Sequence, residues 1–265
     1  MAKLPSLSLS DKLNLMIDSK SISQGHRGYL GMSEAGHNCD RYLWMVLHNI
    51  YNGTHDRRVQ RIFDRGHWEE PRVIKDLLGL GAEVSSEQEE VTLLDGTVLG
   101  HSDGVVSDVP GTDGSAMLLE VKAVNSTTFS KYLKQGIKDS NDKYYVQMQL
   151  YMHCLGLTNA LFVATNKDNE KRYWEIVPYD AKYTQTVLDR LERIVLGQKI
   201  PSKLGGPDWY ECKFCSMYDH CHASAPTNIS CRSCANMVGN SCQFGIKADI
   251  DKGCEDAWED ITRGV

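Results

Sequence analysis

The apolar residues of this chain change period several times, and each change marks an element. Leu13, Met16 and Ile17 recur at helical spacing behind Ser10, a residue suited to N-capping, and predict a short amphipathic helix within residues 7–20. Residues 39–50 carry Leu43, Trp44, Met45, Val46 and Leu47 in succession and read as a buried helix. A longer helix is predicted from about Asp56 to Leu80, stopped by Gly79 or Gly81. From Ala82 to Ala123 the pattern becomes short β-rich runs, with Asp95-Gly96 as a hairpin turn and Val109 to Gly114 as a loop. Helices over 126–138 and 142–156 follow, then strands over 160–166 and 171–177 joined by a turn at Lys167 to Glu170. A helix from Asp180 to Leu196 ends at Gly197. Strands interleaved with helices in this way predict an α/β fold.

Beyond Pro201 the chain is poor in large apolar residues and rich in Cys, Gly, Asp and Asn, a composition that orders only with cross-links. Three parts are therefore expected: a core over 1–200, a closing segment over 201–225 and a cysteine-rich tail over 226–265. The chain has 265 residues, of which 41% are hydrophobic, enough for a proper core and against a disordered chain. It has no run of eighteen apolar residues, and Met1 to Pro5 lacks the start of a signal peptide, so a cytoplasmic protein with no membrane partner is expected. A net charge of -6 argues against a protein that coats polyanions, because such affinity comes from many Lys and Arg neutralising phosphates. Any contact with DNA must be local. Arg57, Arg61 and Arg65, at i, i+4 and i+8 with Arg58 alongside, form one candidate face, and Lys131, Lys134 and Lys138 another; each is equally readable as a solvated helix face.

The chemistry concentrates in Gly100-His101-Ser102-Asp103 and in Glu120-Val121-Lys122. Two carboxylates on neighbouring strands can share a hard divalent cation, and a lysine two residues past the second projects to the same face. Asp103 and Glu120 are the candidate ligands, the Val121 carbonyl a third, and Lys122 the group that orients water or stabilises charge. A pair of exposed strand residues with a salt bridge is the plain alternative. Upstream, Gly66 to Glu70 lies on the long helix, so Glu70 can complete the site, with His67 and Glu69 as competing choices. Downstream, Gln147 and Tyr151 stand four apart on one helix face, able to bond a water or a phosphate.

In this order, Gly-x3-Glu (66–70), Gly-x-x-Asp (100–103), Glu-x-Lys (120–122) and Gln-x3-Tyr (147–151) resemble the PD-(D/E)XK nuclease superfamily, in its RecB-like branch, over roughly residues 33–221. The resemblance implies a restriction-endonuclease-like mixed sheet flanked by helices and a Mg2+- or Mn2+-dependent deoxyribonuclease. Glu70 stands where many members carry His, and Glu at this place looks more like the phage-exonuclease members.

Nine cysteines in a chain with no sign of secretion favour metal over disulfides. Cys212-x2-Cys215-x5-Cys221 and Cys231-x2-Cys234-x7-Cys242-x11-Cys254 have the close pairing of metal sites. The RecB-like branch includes iron-sulfur nucleases, such as the CRISPR-associated RecB-like and AddB-type enzymes, with one cysteine before the core and three after it. That likeness implies a [4Fe-4S] cluster on Cys39, Cys212, Cys215 and Cys221, with zinc as the alternative, serving as a staple rather than a redox catalyst. The second set suits a four-cysteine Zn2+ site, for which His220 and His222 are near enough to replace one ligand. The acidic run Asp249, Asp251, Glu255, Asp256, Glu259 and Asp260 disfavours DNA at the tail, and Cys154 reads as a core residue.

The expected function is thus a nuclease, an exonuclease on single-stranded DNA or duplex ends, in recombination, repair or phage DNA metabolism. A recombination or helicase partner is implied, because the chain has no P-loop pattern for driving unwinding itself. The alternative is a non-catalytic platform for DNA or protein binding built on the same fold; a weaker one is a redox or iron sensor.

Overall fold

The computed structural model describes residues 7–19, 22–23, 27–51, 54–55, 57–238, 241–246, 252–254 and 257–262. In chain order the helices are α1 (Leu9–Asp18), α2 (Asp40–Leu47), α3 (Arg57–Gly79), α4 (Ser126–Gln135), α5 (Asp142–Leu155), α6 (Ala181–Leu196), α7 (Tyr210–Lys213) and α8 (Tyr218–His222). The strands are β1 (Ile22–Ser23), β2 (Leu30–Gly31), β3 (Thr54–His55), β4 (Glu83–Ser85), β5 (Glu90–Leu93), β6 (Val98–His101), β7 (Gly104–Ser107), β8 (Met117–Val124), β9 (Asn159–Asn166), β10 (Arg172–Pro178), β11 (Met237–Val238) and β12 (Ser241–Cys242).

Strand β8 organises the molecule, because its residues are buried on both faces. Met117, Leu119 and Val121 point to one side, where they pack with Leu161 and Val163 of β9 against Val73, Ile74 and Leu77 of α3. Leu118, Glu120 and Lys122 alternate to the other side, where Leu118, Phe162 and Ala164 meet Tyr145, Met148 and Tyr151 of α5 in the larger core. The five-stranded sheet has the order β10-β9-β8-β7-β4, with β8 and β9 parallel and the other neighbours antiparallel. Parallel neighbours need a long crossover, and α4 with α5 supplies it. A second sheet, β2-β6-β5, carries β6 to its end at His101, two residues before Asp103. The result is a mixed α/β sheet flanked by helices, in a restriction-endonuclease-like arrangement.

Local chemistry explains the boundaries. Asn125, Asn141 and Asp180 cap α4, α5 and α6 by accepting from the backbone N–H groups of Thr128, Tyr144 and Tyr183. Asp95-Gly96 turns the β5–β6 hairpin with positive φ at Leu94, Asp95 and Gly96. Helix α1 departs from expectation. Its cap is Ser8, which accepts from the Asp11 N–H, and not Ser10, and it buries none of its residues: Leu13, Met16 and Ile17 stay exposed. Asp56, the expected start of α3, lies outside the described residues, as do Asp249, Asp251, Glu255 and Asp256 of the acidic run. No helix among the described residues is long and apolar enough to cross a membrane.

Candidate active site

Glu120 is wholly buried in the middle of the sheet, an environment that a carboxylate tolerates only with compensation. The Lys122 ammonium abuts its Oε1, and lies 4.0 Å from Asp103 Oδ2. Asp103 in turn accepts a 2.7 Å hydrogen bond from the Val121 N–H, so the end of β6 is tied to the backbone between Glu120 and Lys122. Period-two alternation puts Glu120 and Lys122 on one face of β8, and the bond to the Val121 N–H brings Asp103 to the same point. The Lys122 ammonium is the one group on Glu120 Oε1 among the described residues, and Oε2 has no hydrogen-bond partner there. Burial pushes the Glu120 carboxyl above the usual range, and the Asp103 and Glu70 charges add to this while Lys122 opposes it. Desolvation works against the Lys122 ammonium, but the Glu120 and Asp103 carboxylates outweigh it and hold the group charged.

The α3 carboxylates separate cleanly. Glu70 is half-buried, raised in pKa by burial and then by Asp103, and receives a 3.0 Å hydrogen bond from Gln88 Nε2. It therefore shares the field of Asp103 and Lys122. Glu69 is only 1% exposed and turns to Arg72 and Arg172 at 3.4 and 3.6 Å. His67 is exposed, 3.8 Å from Glu70 Oε1. Of the three competing side chains, Glu70 is the one that faces the sheet carboxylates.

On α5, Gln147 and Tyr151 are both buried and face the same core as Glu120. Tyr151 donates to the His101 carbonyl at 2.9 Å, while Gln147 Nε2 approaches the Tyr151 hydroxyl at 3.5 Å and leaves its own Oε1 without a partner. A Cβ at Gly100 would overlap the Tyr151 hydroxyl, so the glycine of Gly-x-x-Asp is needed for this close approach.

The donor set suits a hard cation: carboxylate oxygens from Asp103, Glu120 and Glu70 and a backbone carbonyl at Val121, with Glu120 Oε2 buried and without a hydrogen-bond partner. Among the described residues, no three His, Cys, Asp or Glu side chains are drawn closely enough to grip one ion, and the Lys122 ammonium supplies the local positive charge.

A basic cavity of about 270 Å³ is lined by Arg58, Arg61, Ile62, Arg65, Ala123 and Lys167. Ala123 follows Lys122 on β8 but alternates to the α3 side of the strand, opposite the face that carries Glu120 and Lys122. Arg57 lies on α3 but does not line it, and Lys167, from the β9–β10 turn, carries no signal in the sequence that marks it. Arg61 pairs with Asp18 of α1 at 3.2 Å and Arg65 with Glu170 at 2.7 Å. Lys131 and Lys134 are exposed on α4, and Lys138 pairs with Asp180.

Cys39, Cys212, Cys215 and Cys221 line one cavity, together with His37 and His222. Burial, and then the neighbouring Cys39, Cys221 and Cys212, raise the Cys215 thiol, opposed by the Met217 N–H on its sulfur. In the tail, Cys231 and Cys234 are buried, Cys234 Sγ accepts from the Glu259 N–H, and Cys242 stands opposite Met237 in the β11–β12 pair. Cys254 is half-buried, and His220 packs on Tyr51. Cys154 packs partly buried against the larger core.

Comparison with known proteins gives three findings. Residues 81–161, which include Asp103, Glu120, Lys122, Gln147 and Tyr151 but not Glu70, match the family model of the YqaJ-like viral recombinase domain. No curated protein matches the chain. Among solved structures, the chain is similar to the alkaline exonuclease LHK-Exo from Laribacter hongkongensis, at 18% identity and a TM-score of 0.46, over 64% of this chain and 87% of that one. The same exonuclease in complex with dAMP gives 19% identity and a TM-score of 0.47, over 63% and 88%. A phage related exonuclease from Haemophilus somnus 129PT gives 15% identity and a TM-score of 0.42, over 58% and 77%. The chain is thus a mixed α/β sheet flanked by helices whose residues 81–161 are similar to the YqaJ-like viral recombinase domain.

Proposed function

We propose that this protein is a metal-dependent DNA nuclease, acting as an exonuclease on single strands or duplex ends. The observation that carries the reading is the buried Glu120 carboxylate, with the Lys122 ammonium on one oxygen and no hydrogen-bond donor on the other, beside Asp103. A structural role alone does not account for a half-satisfied carboxylate at a sheet centre, since an apolar residue would serve better there. The match to a viral recombinase domain model, and the resemblance of the four motifs to RecB-like nucleases, support DNA as the substrate and phage recombination or repair as the setting.

Asp103, Glu120 and the Val121 carbonyl would hold Mg2+ or Mn2+, with Glu70 completing the set from α3. The ion, when bound, neutralises the scissile phosphate and makes water a better nucleophile. Lys122 orients the attacking water and stabilises negative charge from the same strand face. Gln147 presents its unpartnered Oε1 towards that face, and Tyr151 holds β6 in place through the His101 carbonyl. Arg61 and Arg65, with Arg58 and Lys167, take the DNA backbone in the basic cavity beside α3. Arg57 adds to the same basic helix face.

Cys39, Cys212, Cys215 and Cys221 would hold a [4Fe-4S] cluster, zinc being the alternative, that staples residues 201–225 to the start of α2. Four thiols that share one cavity support this. Cys231, Cys234, Cys242 and Cys254 would hold Zn2+ in the tail of 226–265, where little apolar burial is on offer. A recombination or helicase partner would supply unwinding.

The test is cleavage of end-labelled single- and double-stranded DNA by anaerobically purified wild type and by Lys122→Ala. A ladder from one labelled end in the wild type, with none from a variant that still binds DNA, is the expected result. Cleavage retained by Lys122→Ala, or absent from fully metallated wild type, refutes the reading and favours the binding platform.

A further inference from the structure

Helix α3 is weakest where it carries Glu70. Pro71 lies inside the helix and brings no N–H, so one backbone bond of that turn is missing, and Gly66 stands one turn before it. The same turn brings Glu70 into the field of Asp103 and Glu120, and like charges push the helix away from the sheet. Val73, Ile74 and Leu77 anchor the helix after Pro71 on the sheet by apolar packing, and an ion pair that reaches both sides of Pro71 carries that hold back to the turn of Glu70.

Arg172, at the start of β10 and opposite Thr165 of β9, faces α3 with its side chain largely buried. Its guanidinium reaches Glu69 Oε1 at 3.6 Å and is in close contact with Asp76 Oδ2. These two carboxylates lie on either side of Pro71, seven residues apart and so two turns along one helix face. Glu69 is almost wholly buried, and its other partner, Arg72, is on the same helix and more than half exposed. Arg72 and Arg65 also reach Glu170 in the β9–β10 turn, but both stand on α3 itself, so among the described residues only Arg172 brings a cation from the sheet to both sides of Pro71. A planar guanidinium with several donors is suited to such a bridge.

We propose that Arg172 is a positioning residue for the nuclease site: it splints α3 across Pro71 and holds the Glu70 carboxylate against the sheet carboxylates. The inference rests on the reading of Glu70 as part of the metal site. Arg172 touches neither metal nor DNA and acts through Glu69 and Asp76.

The test compares Arg172→Met, Asp76→Asn, Glu70→Ala and the double variant Glu70→Ala/Arg172→Met. Mn2+ affinity of the DNA-free protein is measured by calorimetry, alongside kcat and KM for DNA. Arg172→Met weakens Mn2+ binding and lowers kcat by about tenfold each, the scale of residues that orient metal ligands, and leaves KM unchanged. In the Glu70→Ala background the same substitution has no further effect, because the group it positions is gone. Asp76 is exposed, so Asp76→Asn folds and carries the same test if Arg172→Met does not. Unchanged Mn2+ affinity in both variants, or an equal further loss in the Glu70→Ala background, overturns the inference while leaving the site intact. Wild-type Mn2+ affinity and cleavage in Glu70→Ala overturn the role of Glu70 itself, and the inference with it.

Discussion

Substituting Gly100 by alanine tests the packing that joins two of the four motifs. The new methyl would overlap the Tyr151 hydroxyl and stand 3.0 Å from both Tyr151 Cε1 and Met32 Cβ. Tyr151 is 2% and Met32 0% exposed, so neither can move aside into solvent. Overpacking of this kind costs about 1–3 kcal/mol. Displacing the tyrosine also breaks its 2.9 Å bond to the His101 carbonyl, worth about 1 kcal/mol. The lower entropy of an unfolded chain with alanine returns roughly 0.5 kcal/mol, for a net loss of about 2–3 kcal/mol. Urea denaturation measures it. The discriminating comparison is with Tyr151→Phe, which removes the overlapping oxygen: the double variant Gly100→Ala/Tyr151→Phe should be more stable than the two single losses predict, by at least about 1 kcal/mol. Additive losses would refute the argument that this glycine exists to admit that hydroxyl.

Three other outcomes are expected. His48 is held down to about 4 by burial, with the Arg232 charge adding to it and the Arg232 carbonyl opposing it, whereas an unfolded histidine titrates near 6.5. The unfolded chain therefore binds the extra proton first; stability is full above pH 6.5 and falls by up to ~3 kcal/mol as pH drops towards 4, a slope that denaturation of His48→Gln should lack. Replacing Arg61 or Lys167 by alanine should weaken DNA binding at every sequence and reduce the log–log salt slope by about 1 each, as measured by titrations at several salt concentrations. Cys215→Ser should lose about four irons per chain under anaerobic purification, or the zinc of the alternative site, and melt at lower temperature; metal analysis with calorimetry decides between them.

What the sequence could disclose depended on how local the cause was. Helix α3 ends at Gly79, the Asp95-Gly96 hairpin forms and Asn141 caps α5, because each follows from a few adjacent residues. The convergence of Glu120 and Lys122 was legible for the same reason, since period two needs only the strand. Helix α1 was misjudged in its cap, and its apolar residues stay exposed, because periodicity states that a face exists and not that anything covers it. Lys167 in the basic cavity and Arg172 beside Glu69 depend on where β9 and β10 pass α3, a tertiary fact that no spacing encodes. The choice among His67, Glu69 and Glu70 is open for that reason too: a helix turns by about 100° per residue, so the three point in different directions, and only the sheet decides which one faces it.

The central claim is that Asp103 and Glu120 hold a divalent cation, and the most direct measurement is Mn2+ binding to the DNA-free protein, by calorimetry and electron paramagnetic resonance, in wild type, Asp103→Asn and Glu120→Gln. The account predicts Mn2+ bound by the wild type and lost, or weakened by well over tenfold, in both variants, with folding retained. Equal binding in all three proteins, or none in a folded wild type, would contradict it.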